Sequence, residues 1–103
     1  RTGMIAATSF YTLEGAFTLS KSGDELTLSF GDDYRASSAL PGLYVYLTNN
    51  PNTINNAFEI GAVNTFDGAH EYTFTGADIF EYDYLLYYCK PFNVKVGDGE
   101  ISQ

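Results

Sequence analysis

The sequence has few of the residues that build covalent frameworks or basic surfaces. It contains one cysteine, one histidine, three prolines, no tryptophan and five lysines and arginines in 103 residues. A single cysteine cannot form an internal disulfide, and it excludes both a disulfide framework and a cysteine-based zinc site. No apolar run approaches the ~20 residues that a membrane-spanning helix needs, so the sequence predicts no transmembrane segment.

The charge balance narrows the choice of partners and compartment. Thirteen acidic residues against five basic ones give a net charge of −8, which argues against nucleic acid and against anionic membrane surfaces as partners. The first residue is Arg1 rather than methionine, and tyrosine, threonine and asparagine are abundant. We therefore expect a secreted, periplasmic or cell-surface protein. A signal peptide that has been removed, or a lipid anchor, is expected upstream of Arg1.

The length and the pattern of apolar residues predict a single all-β domain over residues 1–103. Apolar residues make up 45% of the chain and aromatic residues 17%, enough for one hydrophobic core. No segment has helical periodicity over three turns, whereas short alternating segments recur with turn residues between them. The most regular is Glu25–Phe30, which we expect to form a hairpin with the strand preceding residues 20–24.

Further strands and turns are expected along the chain. Met4–Ala7 is interpreted as an edge strand, and an isolated glycine, Gly15, as a bulge or sharp turn. Asp67-Gly68 is interpreted as a hairpin turn, and Asp98-Gly99 as a turn before a short closing segment. The remaining strands are predicted at residues 9–13, 43–48, 58–63 and 70–75.

The stretch Tyr82–Val96 holds the only cysteine and the densest aromatic cluster. Residues 84–89 form a short apolar run closed by Pro91, typical of a central strand buried on both faces. Alternation places Leu85, Tyr87 and Cys89 on one face, and Tyr84, Leu86 and Tyr88 on the other. Beyond Pro91 the pattern puts Phe92, Val94 and Val96 inward, so we expect a bulge or corner at Lys90-Pro91.

The order of these landmarks resembles that of the DM-thirteen domain, a small "electron transfer" domain found beside DOMON domains in secreted and cell-surface proteins. The resemblance covers about residues 9–101, and the Tyr-Cys-Lys-Pro-Phe-Asn-Val segment is its most specific part. The residues that carry it are Gly15, Leu26–Phe30, Leu40-Pro41-Gly42-Leu43-Tyr44-Val45-Tyr46-Leu47, Ile60-Gly61-Ala62-Val63, Gly68, Tyr72, Leu85-Leu86-Tyr87-Tyr88-Cys89-Lys90-Pro91-Phe92-Asn93-Val94 and Gly97.

The resemblance implies an antiparallel β-sandwich, jelly-roll-like or DOMON-like, acting as an exported redox or electron-transfer accessory. The family's signature cysteine corresponds to Cys89, as a free thiol or as the holder of a prosthetic group such as haem. The cofactor-binding set would be Cys89 with Tyr87, Tyr88, Lys90, Pro91 and Phe92. Met4 and His70 do not map onto the paired haem ligands of DOMON domains, and Tyr88 replaces a common tryptophan.

A second hypothesis is a non-catalytic extracellular module that binds a glycan or a surface protein. Cys89 is then a buried hydrophobe, as free cysteines often are, and Tyr44 and Tyr46 offer an aromatic surface. Calcium-dependent adhesion through Asp32-Asp33 and residues 98–100 is a third idea. Nothing in the sequence indicates a catalytic centre, because His70 lacks a specified partner and no glycine-rich phosphate loop is present.

Overall fold

The computed structural model describes all residues, Arg1–Gln103, and consists of β-strands joined by loops. It contains no helix with the length and hydropathy needed to cross a bilayer. Nine strands follow one another along the chain: β1 Thr2–Ala7, β2 Leu13–Ser22, β3 Glu25–Phe30, β4 Arg35–Ala36, β5 Leu43–Thr48, β6 Phe58–Ala62, β7 His70–Phe74, β8 Tyr84–Cys89 and β9 Val94–Ser102.

One antiparallel sheet contains all nine strands and curls until its edges meet. The order is β6-β5-β8-β9-β1-β2-β3-β7, with β4 paired to β2. The edge strands β6 and β7 are joined by side chains: Tyr72 Oη donates to the Ala62 carbonyl at 3.2 Å, and the rings of Phe58 and Phe74 lie 5.7 Å apart. The result is a nearly closed, barrel-like sandwich, which confirms the predicted all-β antiparallel fold class.

The inward side chains follow the alternation in the sequence. In β3, Leu26, Leu28 and Phe30 are all buried, and β3 pairs with β2 from Phe17↔Phe30 to Ser22↔Glu25. The predicted hairpin at Glu25–Phe30 is therefore confirmed, with its turn at residues 23–24. Burial of this alternating apolar face supplies the main stabilising free energy of the domain.

Strand β8 is central and buried on both faces, as its apolar run predicts. Leu85, Tyr87 and Cys89 lie in the barrel interior, whereas Leu86 and Tyr88 face outward. That outward face would be open to water, but the loop of residues 49–57 folds over it. Ile54 and Ala57 of this loop pack against Tyr46, Leu86 and Tyr88 and complete a small second core.

Two expectations at the N-terminal end are wrong. β1 is not an edge strand, because it pairs with β9 on one side and β2 on the other. Ser9–Leu13 is mostly a loop rather than a strand. The Ser9 hydroxyl donates to the Val96 carbonyl at 2.9 Å and accepts from the Tyr11 amide at 3.2 Å, so a local turn replaces extended pairing.

Three expected turns are also replaced. β2 runs through Gly15 without a shift in register. The glycine is needed there for another reason, since a side chain would collide with the backbone of Tyr34. Asp67-Gly68 does not close a hairpin, since β6 and β7 lie at opposite sheet edges and Asp67 instead pairs with Arg35 at 3.0 Å. Asp98-Gly99 lies inside β9, where both residues pair with β8.

Arg1 connects the loop of residues 75–83 to β9 at the end of the barrel where β7 ends and β8 begins. Its side chain is only 4% exposed, and its guanidinium donates to the carbonyls of Ile79, Tyr82 and Ile101 at 3.0, 2.7 and 2.8 Å. The same guanidinium pairs with Asp83 at 3.2 Å. These bonds to a charged donor fix the loop of residues 75–83 against β9.

Candidate functional site

The thiol of Cys89 lies in the core rather than at a surface. Cys89 has 0% exposure, and its Sγ–H donates to the Pro41 carbonyl at 3.0 Å. Its cross-strand neighbours are Leu43 and Val94, so the sulfur has apolar side chains beside it. A thiol in such surroundings packs as a small hydrophobe with a satisfied donor.

The structure does not gather the six residues of the cysteine-centred set into one cavity. Tyr87 shares the barrel interior with Cys89, whereas Tyr88 lies on the opposite face of the sheet, where its hydroxyl donates to Asn93 Oδ1. Lys90, Pro91 and Phe92 form the turn between β8 and β9, outside the core.

The expected bulge or corner at Lys90-Pro91 is a complete reversal of the chain. The Asn93 amide donates to the Lys90 carbonyl at 3.2 Å, and Asn93 has a left-handed φ of 56°. Phe92 is consequently 58% exposed, which corrects the prediction that it points inward. Val96 is buried as predicted.

Tyr44 and Tyr46 do not form an open aromatic surface. Tyr46 is only 3% exposed beneath the loop of residues 49–57, and burial raises the pKa of its hydroxyl. Lys90 Nζ lies 4.7 Å from the ring centre of Tyr44 and 2.6 Å from a Glu59 carboxylate oxygen. The hydrogen bond to Glu59 raises the pKa of Lys90, so the ammonium group stays charged over Tyr44. This corrects the expected aromatic platform.

A haem does not fit the residues around Cys89. The sulfur is fully buried and hydrogen-bonded to Pro41, and none of the three surface depressions is lined by Cys89. Met4 and His70 cannot act as a pair, because Met4 lies on the outer face with 67% exposure whereas the ring of His70 stacks on Phe30 in the interior. Haem ligation needs an accessible axial donor beside a flat cavity, and this arrangement provides neither.

The acidic loops are likewise engaged in structural contacts. Asp33 Oδ2 accepts from the Ala16 amide at 3.0 Å, and Asp98 pairs with Lys95 at 2.7 Å. No cluster of three or more histidine, cysteine or acidic side chains is placed to hold a metal ion. His70 Nδ1 lies 2.9 Å from the Gly68 carbonyl, and its Nε2 is buried without a partner among aromatic rings.

One surface depression is lined entirely by amide and hydroxyl side chains. We call it the amide basin. It has a volume of about 440 Å³ and lies at the end of β5. Its lining residues are Thr48, Asn49, Asn50, Thr53, Asn55 and Asn56. Uncharged groups that both donate and accept hydrogen bonds match the hydroxyl groups of a neutral sugar.

Local hydrogen bonds fix the walls of the amide basin. The side-chain amide of Asn49 is held at both of its atoms: its Oδ1 accepts from the Asp83 amide and its Nδ2 donates to the Glu81 carbonyl, both at 3.0 Å. Asn50 Oδ1 accepts from the Asn52 amide at 3.1 Å, and Thr53 Oγ1 accepts from the Asn55 amide at 3.0 Å. A ligand entering the basin therefore meets a pre-organised loop.

Other polar groups of the amide basin remain free. Asn50 Nδ2 and the side-chain amides of Asn55 and Asn56 have no hydrogen bond within the chain. Asn55 and Asn56 are exposed, and Asn56 adopts a left-handed φ of 64° that turns the loop at this point. Tyr84 pairs with Thr48 across β5 and β8, lies on the same outer face and is half-buried.

The sequence predicts only a polar loop at residues 49–56. The available signal was five asparagines within eight residues, directly after a strand. What the sequence could not show is that Ile54 anchors the loop on β8 and that four of the five asparagines face a common space.

The fold and these contacts define the chain as a small antiparallel β-sandwich domain with a buried cysteine and a polar surface basin. No protein-family model, no curated protein and no solved structure matches it.

Proposed function

We propose that this domain is a non-catalytic binding module that recognises a neutral glycan in the amide basin. The observation that carries the proposal is the chemistry of the basin, whose lining contains amides and hydroxyls and no ionised group. Carbohydrate hydroxyls need donors and acceptors in fixed positions, and a rigid amide supplies one of each. The secretion expected from composition agrees with such a role.

The charge near the basin favours a neutral ligand over an acidic one. Glu81 and Asp83 belong to the segment that Asn49 binds, and no lysine or arginine lines the basin. Asp83 is paired with Arg1, but Glu81 has no ion-pair partner, so a uronic or sialic acid would be repelled by the Glu81 carboxylate. We therefore expect neutral hexoses and their short oligomers to bind, and acidic sugars to bind more weakly.

The test is a titration of the domain with a panel of neutral and acidic oligosaccharides, followed by amide chemical shifts. We expect saturable, roughly millimolar binding with shifts confined to residues 48–56 and Tyr84. The double variant Asn55→Ala/Asn56→Gly removes two free amides and places a glycine, which tolerates the left-handed conformation, at position 56. It should bind about tenfold or more weakly, because hydrogen bonds each contribute about 1 kcal/mol.

The matched control is Thr18→Ala, a hydroxyl deletion in the separate groove on the outer face of β1 to β3. It should leave glycan affinity unchanged. Saturable binding that the Asn55/Asn56 variant retains in full would contradict the assignment to the amide basin. A panel in which no neutral sugar binds at millimolar concentration would contradict the proposed function itself.

A second candidate is the redox role that the DM-thirteen resemblance implies, restricted to the bare thiol. Its support is that loops at the end of the barrel cover Cys89: Pro41 accepts from the thiol, and Gly42 packs against Pro91. Displacing these loops would let the Cys89 thiolate attack a partner's disulfide, forming a mixed disulfide as the partner's other sulfur leaves as a thiolate. This role requires the thiol to react while the rest of the domain stays folded.

A further inference from the structure

The largest surface depression of the domain lies on the outer face of the sheet, away from the amide basin. We call it the β1–β3 groove. It has a volume of about 680 Å³ and is lined by residues 2–4, 16–18, 29–31, Asp33 and Ser102, none of which belongs to the basin. A mainly apolar depression of this size that holds a few polar groups can take a small molecule.

The middle of the β1–β3 groove is apolar. Ala16 of β2 is exposed and pairs with Met4 of β1, whose side chain is 67% exposed. The loop after β3 folds back towards Ala16 from the other side, because Asp33 Oδ2 accepts from the Ala16 amide at 3.0 Å. The short side chain of Ala16 therefore lies between a thioether and a carboxylate. A thioether makes favourable contacts with an aromatic ring.

Asp33 is the only charged residue that lines the β1–β3 groove. Its Oδ2 is bound to the Ala16 amide, whereas its Oδ1 accepts no hydrogen bond within the chain. Arg35 is close in sequence, but its guanidinium pairs with Asp67 at 3.0 Å. The net charge of −8 adds to the negative potential at this carboxylate. The groove thus combines an apolar surface with one uncompensated carboxylate oxygen.

The remaining side chains of the groove add hydroxyl groups and no positive charge. Thr2 pairs with Thr18, and Thr18 pairs with Ser29, so three hydroxyl residues lie side by side across β1, β2 and β3. The Ser29 hydroxyl donates to a Glu71 carboxylate oxygen at 3.4 Å. An anionic ligand would find no cation here, whereas an ammonium group would find hydroxyl acceptors beside the carboxylate.

We propose that the β1–β3 groove binds a small organic cation that carries an ammonium group on an aromatic ring. The ammonium group donates to Asp33 Oδ1, and the ring lies over Ala16 beside Met4. A neutral aromatic ligand would cover part of the Asp33 carboxylate without pairing it, which costs free energy. A metal ion would find one carboxylate alone, since no cluster of three or more metal-ligating side chains is present.

The experiment is a titration of the whole chain with benzylamine at neutral pH and low ionic strength, followed by amide chemical shifts. We expect saturable, roughly millimolar binding, with shifts at residues 2–4, 16–18 and 29–33. Benzyl alcohol has the same ring without the charge. It should bind about fivefold more weakly, because an exposed ion pair adds a modest increment to affinity.

The test variant is Asp33→Asn, which removes the charge and keeps a side-chain oxygen that can accept from the Ala16 amide. It should bind benzylamine about fivefold more weakly. Asp32→Asn is the matched control, because it changes the net charge equally at the adjacent position, which does not line the groove. It should stay within about twofold of wild type.

Equal losses in Asp33→Asn and Asp32→Asn would overturn the proposal, because binding would then follow the overall charge and not the groove. Equal affinity for benzyl alcohol and benzylamine would overturn it as well. So would the absence of saturable binding, or shifts at residues 48–56 in place of the groove. Glycan affinity should be unchanged in Asp33→Asn, so the two sites can be tested separately.

Discussion

Gly97→Ala is expected to abolish cooperative folding or to destabilise the domain by about 4 kcal/mol or more. A Cβ atom at Gly97 would collide with the Ala6 carbonyl oxygen and would lie 2.7 Å from Leu13 Cδ2. The Ala6 oxygen belongs to β1, whose Ala7 pairs directly with Gly97 of β9. The clash involves backbone inside the sheet, so no rotation of a side chain can relieve it. Urea denaturation followed by circular dichroism measures the change.

The matched control for this change is Gly61→Ala in β6. There the added Cβ would have Tyr72 ring atoms at 3.8 and 3.9 Å, an ordinary contact distance. Its stability should stay within about 0.5 kcal/mol of wild type. If Gly97→Ala unfolded at the same urea concentration as Gly61→Ala, this result would contradict the close approach of the paired β1 and β9 backbones at Gly97.

Alkaline pH is expected to destabilise the domain strongly between pH 10 and pH 12. Burial raises the pKa of Tyr34 from 10.0 to about 12, and burial also raises the pKa of Tyr87 well above 10.0. In this window the unfolded chain releases protons that the folded chain retains. Stability is therefore fully present below pH 10 and falls as the pH rises. Tyr34 alone accounts for about 2 kcal/mol of loss by pH 12.

The alkaline effect is measured by urea denaturation at several pH values, together with tyrosinate absorbance. The hydroxyls of Tyr34 and Tyr87 lie 3.4 Å apart in the interior, so Tyr34→Phe/Tyr87→Phe removes both titrating groups as a pair. That variant should lose most of the pH dependence in this window. Ionisation of all nine tyrosines in one step near their ordinary pKa, with the fold intact, would contradict the burial of this pair.

Local alternation accounts for most of the fold that the sequence predicts. Leu26, Leu28 and Phe30 alternate with polar residues, and a buried face follows directly from this period of two. The run at residues 84–89 was equally informative, because a strand apolar on both sides must be covered on both sides. The same pattern places Cys89 on a face with Leu85 and Tyr87, but it leaves open whether the thiol is buried or reactive.

Long-range pairing accounts for the errors. β1 was expected at an edge because its apolar stretch, Met4–Ala7, is short, yet its backbone pairs with both β2 and β9. Asp67-Gly68 has the composition of a hairpin turn, but its flanking strands belong to opposite sheet edges. The structural role of Arg1 could not be predicted from the sequence, because the carbonyl groups that it binds belong to residues 79–101, far along the chain.

The candidate site was predictable only in part. Composition pointed to a polar loop at residues 49–56, and the hypothesis of a glycan-binding module was available before the structure. The position of the free amides depends on hydrogen bonds between that loop and the distant residues Glu81 and Asp83, which no local pattern encodes. The prediction of an aromatic surface at Tyr44 and Tyr46 was wrong for the same reason. Tertiary contacts place the loop that covers Tyr46 and the Lys90 side chain that lies over Tyr44.

The central claim is that Cys89 is a structural core residue and that the domain acts by binding. The reactivity of the Cys89 thiol tests this claim most directly. An aromatic disulfide reagent that reports thiol release by absorbance is added to the native domain and to the domain in denaturing urea. Because Cys89 is the only cysteine, one released thiol per chain identifies it. Ser38→Cys places a second, exposed thiol in the chain as the positive control.

We expect no reaction of wild type while it is folded and one equivalent after unfolding, since the sulfur is fully buried and bound to Pro41. Ser38→Cys should release one equivalent in the native state. Rapid release of one equivalent by native wild type, with circular dichroism unchanged, would contradict the account and favour the redox role of the thiol.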